Sequence, residues 1–157
     1  MATSALLSIN PYTHPATAHE DLFNGNLTTD IMSLANYGSV VFVLTKGPGA
    51  TGTATITVES CDDTSATTST AVAFNYAAST SGNTWGNITA AGAAGFTTTA
   101  GANQCYMIEI RDDQLSGSDK YVRAVFTETA NDPVDGAVIS IGMNPKYPAD
   151  PPKEMIT

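Results

Sequence analysis

Charge is what this sequence has least of. Asp, Glu, Lys and Arg make up 13% of it, against about 25% in an ordinary globular chain. Only six residues are basic, set against 15 acidic ones, for a formal net charge of −9. The basic residues are scattered. A nucleic-acid partner demands a clustered positive surface that releases phosphate counterions, so this reading has no nucleic-acid partner. No run of about 18 apolar residues exists to cross a membrane as a helix, and no membrane partner is expected. The start, "MATSALLSINPYTHPATAHEDLF", lacks a basic n-region and a long apolar h-region, so a secretory signal peptide is not expected.

Chemistry-bearing residues are equally sparse. Cys61 and Cys105 are too few for a disulfide scaffold or a zinc site. The default is two free thiols on or beside strands, with a single bridge left open. His14 and His19 sit in an irregular stretch and read as solvated surface rather than as metal ligands. There is no GxSxG, HExxH, P-loop or GxGxxG pattern. The acid pairs Asp62–Asp63 and Asp112–Asp113 fall in turns, where Asp bonds its own backbone. Adjacent carboxylates on a turn point apart and make a poor glycosidase dyad, and a structural calcium site built from two such loops is the sharper alternative. Trp85 is the single Trp; it reads as a core anchor or protein contact as readily as a sugar platform. The reading is therefore not an enzyme, with no cofactor and no catalytic or metal residues.

Thr, Ser, Ala, Asn and Gly stand where charge is missing, and Thr favours half-buried pleated surfaces. From Gly38 the pattern is that of strands. "GSVVFVLTKG" is a continuous apolar run, which suits a strand buried on both faces. "TATITVES" alternates strictly, with Ala54, Ile56 and Val58 on one face and Thr53, Thr55, Thr57 and Glu59 on the other. "AVAFNYA", "NQCYMIEIRD" and "KYVRAVFTETA" alternate too, and "AVISIG" is a last strand. Turn clusters every ten residues or so predict an all-β fold, an antiparallel β-sandwich of jelly-roll-like type. Its expected core includes Phe42, Ile56, Val58, Phe74, Ile108, Ile110, Val122, Phe126 and Ile139. Residues 79–102, rich in Gly, Ser, Thr and Ala, fit short strands or one long loop.

The ends read differently. Residues 1–28 show little period and are expected to form an N-terminal arm, with a short helix near residues 16–23. Residues 29–142 are the sandwich domain. Residues 143–157 form a proline-rich tail whose prolines lack an N–H and fix φ, excluding a central strand. Such a segment is already extended, so docking it on a partner loses little conformational entropy. Leu6, Leu7, Ile9 and Tyr12 in the arm, and Lys146, Tyr147, Lys153 and Met155 in the tail, are the expected partner contacts.

Two stretches carry a family resemblance. "YGSVVFVLTKGPGATGTATITVESCDD" and "DKYVRAVFTETANDPVDGAVISIGMNPKYP" resemble the opening and closing strand patterns of jelly-roll head proteins of tailed bacteriophages. The likeness covers roughly residues 37–148 and includes Ser39 to Val43, Asp62–Asp63, Tyr121-Val122-Arg123 and Gly136-Ala137-Val138. Lys120 stands where that family often has Arg, and Cys61 occupies a usually polar position. The resemblance implies a capsid cement, or decoration, protein made in the host cytoplasm. It would sit on the outer surface of the virion head and bridge major capsid subunits. The implied partners are the major capsid protein and the chain itself, as a homodimer or alternatively a trimer. Other readings are a head–tail joining or tail component, and a carbohydrate-binding or receptor-binding module.

Overall fold

The computed structural model describes residues 11–13, 21–48 and 51–147. Twelve strands are present among them: β1 (Pro11–Thr13), β2 (Asn26–Thr28), β3 (Met32–Ser33), β4 (Tyr37–Lys46), β5 (Thr53–Cys61), β6 (Ser69–Val72), β7 (Phe74–Ser79), β8 (Thr89–Ala91), β9 (Phe96–Thr97), β10 (Gln104–Arg111), β11 (Tyr121–Ala130) and β12 (Gly136–Pro145). A single 3-10 turn, Asp112–Gln114, is the one helical element among the described residues. The strands form two antiparallel sheets. The first has the order β1-β12-β4-β10-β7-β8; the second has β2-β11-β5-β6, with β3 also on β11 and β9 on β5. The chain changes sheet at most connections, β4 to β5, β10 to β11 and β11 to β12 included, so the all-β sandwich winds in a jelly-roll-like way.

The core lies between the sheets and follows from period two. On β5, Ala54, Ile56 and Val58 point inward and are fully buried, while the Thr residues between them are half-exposed. On β10 the inward set is Tyr106, Ile108 and Ile110; on β11 it is Val122, Ala124 and Phe126. β4 contributes Val40, Phe42 and Leu44. Eight of the nine expected core residues are buried. Ile139 is the exception, because register sets it on the other face: β12 pairs Val138 with Leu44 and Ile139 with Val43, so Val138 enters the core and Ile139 lies on the outer face of the first sheet.

Three further features depart from the sequence expectation. "AVAFNYA" is not one strand, since Ala73 is the corner at which the chain leaves β6 in the second sheet for β7 in the first. Val72 and Phe74 both face the core, so the alternation survives the crossing. At the N-terminal end, Phe23 and Met32 are wholly buried, and β2 and β3 pair with β11; the sandwich thus begins before residue 29. Residues 21–23 are extended-to-turn backbone, not helix. At the C-terminal end, β12 continues past Gly142, with Met143 opposite Ser39 and Pro145 opposite Tyr37. Pro145 is tolerated because it ends the strand, where no further ladder bond is required of it. Residues 79–102 supply two strands, β8 and β9. Phe96 of β9 stacks on Tyr76 with ring centroids 3.7 Å apart and lies 6.1 Å from Phe74.

Candidate functional site

The two outer faces of the sandwich differ in chemistry. The second sheet turns a wet face to solvent. Thr55 and Thr97 hydroxyls bond across strands at 2.9 Å, Thr53 and Thr129 do so at 2.8 Å, and the Arg123 guanidinium meets Glu59 at 2.7 Å. The first sheet turns out an apolar row. Ile139 on β12 stands opposite Val43 on β4, Val43 opposite Met107 on β10, and Met107 opposite Ala77 on β7. A second row begins with Ile141 and Val41 and ends in Glu109 and Asn75. Met107 is 41% exposed, and its neighbours in the row are half-buried. The continuous apolar run of β4 predicted burial on both faces. The inner face is fully buried, whereas the outer one is covered only in part.

One end of this sheet carries both the start of β1 and the finish of β12. β1 pairs with β12 antiparallel, Pro11 opposite Ile141 and Thr13 opposite Ile139. β1 therefore starts at the end of the sheet where β12 finishes. Just beyond β12, Tyr147 is 66% exposed. A shallow cleft of about 260 Å³ opens nearby, lined by Leu34, Ala35, Asp112, Leu115, Asp119, Lys120 and Lys146. Lys146, one of the expected partner contacts, is engaged within its own chain. Its ammonium donates to Asp112 at 2.6 Å and to the Leu34 carbonyl at 3.1 Å, and its N–H donates to the Asn36 carbonyl at 2.8 Å. These bonds tie the start of the tail to the sandwich. Leu6, Leu7, Ile9, Lys153 and Met155 lie outside the described residues, as do His14, His19 and the side chain of Tyr12.

The hydrogen bond from Lys146, reinforced by its charge, holds the Asp112 carboxyl below its ordinary range. A carboxylate with a depressed folded-state pKa stabilises above its unfolded value, about 3.9; that contribution is lost as pH falls through the depressed value. Both partners are more than a third exposed, so the pair contributes at most about 1 kcal/mol. In a carboxyl ¹³C NMR titration, Asp112 should titrate below the ordinary aspartate range. Lys146→Ala should move its midpoint upward. An unmoved midpoint would show that the pair does not form.

Other groups resolve into structural roles. Cys61 and Cys105 are free. Cys61 is buried, and its thiol is pushed up to about 11 mainly by desolvation, which makes it a poor nucleophile. Cys105 is half-buried on the outer face of the first sheet, opposite Thr45 and Ser79. Lys46, buried with no carboxylate partner among the described residues, donates to the carbonyls of Gly52 and Thr99, both at 2.9 Å, and burial lowers its pKa; it pins two loops at one end of the sandwich. Asp63 accepts from the backbone of Ser65 and Thr67 and from the Thr67 hydroxyl, the turn chemistry expected of it. Among the described residues no group of three or more His, Cys, Asp or Glu side chains converges as a metal site. No described helix is long and apolar enough to cross a membrane. The outer apolar row was half-legible in the sequence: β4 announced it, but Ile139 was read toward the core. Comparison with known protein families, with curated proteins and with solved structures finds no match to this chain.

Proposed function

We propose that this chain is a capsid cement protein, which binds the outer face of a bacteriophage head and stabilises it by bridging major capsid subunits. The observation that supports it best is the charge-poor apolar outer face of the first sheet, beside the sheet end where β1 starts and β12 finishes. A contact surface of this kind costs little to desolvate, and cement function needs contact area rather than reacting groups. The capsid as target rests on the sequence resemblance. The net charge of −9 favours the outside of the head, since like charge repels the protein from packaged DNA. Many equivalent sites on one shell give avidity without tight single contacts.

The exposure of Trp85, 41%, and of Ile88, 78%, favours a second reading, a carbohydrate-binding or receptor-binding module. A glycan array separates the two: binding there that Trp85→Ala abolishes supports the module.

For cement, purified particles should carry on the order of hundreds of copies, as closed icosahedral symmetry demands; quantitative gels measure this. A handful of copies per particle would instead indicate a head–tail joining or tail component. Deleting residues 148–157 should leave a folded protein that re-attaches more weakly to stripped particles. Undiminished re-attachment would remove the tail from the contact.

A further inference from the structure

Residues 64–108 contain no Asp, Glu, Lys, Arg or His; all six basic and all 15 acidic residues of the chain lie outside them. These residues build one flank of the sandwich. β6 ends the second sheet, β7 and β8 end the first, and Phe96 of β9 stacks on Tyr76 of β7. The first charge met going inward along the first sheet from β8 is Glu109 on β10, opposite Asn75. The chain around β8 is bare: residues 80–94 are exposed at every position but Ala91. Trp85, in the connection from β7, and Ile88, directly before β8, are among them.

Among the described residues, β8 has β7 on one side and no strand on the other. Such an edge offers its N–H and C=O groups to another extended chain, and monomeric β proteins guard their edges with charge or proline. The other edges of this sandwich are guarded. β1 carries Pro11, which has no N–H to donate. Exposed Asp30 stands between β2 and β3. Asp62 and Asp63 stand in the turn before β6, where Asp62 accepts from the Thr68 N–H. β8 has neither device. Its three residues, Thr89–Ala91, make few ladder bonds, so pairing there depends on the apolar side chains beside it. Charge selects the occupant. A chain with a net charge of −9 repels its own copy over much of its surface, and on this flank that repulsion is weakest. A charged partner gains nothing from a neutral flank. An antiparallel edge also pairs with itself about a two-fold axis, each copy supplying the same strand.

We propose that two copies of this chain pair β8 to β8, antiparallel about a two-fold axis near Ala90. The first sheet then runs on from one copy into the other. Antiparallel pairing about Ala90 sets Ile88 and Trp85 of each copy against residues 92–95 of the other. Gly92, Ala93 and Ala94 are exposed and small, which leaves room for both side chains. This names the surface for the self-association within the cement reading. Its test uses purified protein without particles, so either can fail while the other stands.

Trp85 reports on the contact, because it is the single Trp. Light scattering behind size exclusion and acrylamide quenching of Trp85 fluorescence are measured over a range of concentrations on four proteins: the full chain, Ile88→Lys, Ala90→Lys and Ala71→Lys. Each substitution falls at an exposed position and makes the net charge less negative, so general repulsion falls in all three. The full chain should form a dimer, and Trp85 should become harder to quench as it forms. Ala90→Lys sets like charges face to face across the two-fold, and Ile88→Lys brings a charge against residues that offer it no counter-charge. Each should weaken the dimer about tenfold or more. Ala71→Lys, on the β6 edge, should associate as the full chain does. Should one β8 variant fail to fold, the other decides. A full chain that stays monomeric at every concentration would overturn the proposal, as would a trimer, which two-fold pairing cannot make. So would a dimer that survives the β8 substitutions, one that Ala71→Lys weakens equally, or one that leaves Trp85 quenching unchanged.

Discussion

Phe126→Ala is expected to lower the free energy of unfolding by about 3–5 kcal/mol. Phe126 sits in the middle of β11 with no exposed surface. Its strand neighbours are Ile56 on β5 and Leu27 on β2, and its ring lies 6.3 Å from that of Phe23. Removal of the ring leaves a void between two hydrogen-bonded sheets, which cannot close without shifting their ladders; this is why the loss exceeds the transfer energy of the side chain alone. Urea unfolding should show a lower midpoint with unchanged slope. Ile139→Ala provides the contrast. Ile139 is half-buried on the outer face, so its truncation should cost less than about 2 kcal/mol, below the range for a buried isoleucine. Equal losses at the two positions would sink the assignment of faces.

Gly95→Ala is expected to cost at least about 2 kcal/mol and to lower the melting temperature by roughly 5 °C or more. Gly95 has φ +74, and a Cβ there would overlap the Ile56 carbonyl oxygen. An L-residue in the left-handed region costs about 1–2 kcal/mol by itself. The overlap adds to that by pushing β9 away from β5, which loosens the Phe96 ring from Tyr76 and from Tyr106, 5.9 Å distant. Gly82→Ala isolates the first part, because Gly82 has φ +65 but nothing within 4 Å of its missing Cβ. Differential scanning calorimetry of both variants should show a clearly larger drop for Gly95. If the two drops coincide, the close approach of residue 95 to β5 is not real.

The outer face and the flanking segments were less legible than the core. A tail beginning at residue 143 was expected from its prolines, yet Met143 to Pro145 still pair with β4. A proline at the close of a strand costs almost nothing, and the count of prolines alone does not say where pairing stops. The pairing of Lys146 with Asp112 left no signal in the sequence, because the two are 34 positions apart along the chain; only the return of β12 beside β4 brings them together. Phe23 gave no periodic signal, being a single aromatic among turn residues, and it is buried because β2 draws it over β11.

What the sequence by itself determined was the class of fold and the inward set of its alternating strands. Polar and apolar residues take turns over 53–59, 105–111 and 121–127, and a pleated strand can bury only one of those two sets. What only the tertiary structure decided were the choices alternation leaves open. In β4 both faces are apolar, and in β12 the more apolar set, Ile139 and Ile141, is the outward one while Val138 and Ser140 are buried, so hydrophobicity cannot say which isoleucine or valine enters the core. The hydrogen-bond register between the two strands settles it, seating Val138 opposite Leu44 and leaving Val43 and Ile139 together on the outside. A register slip of one residue would reverse every one of those assignments, and register depends on the neighbouring strands as well as on the strand's own residues.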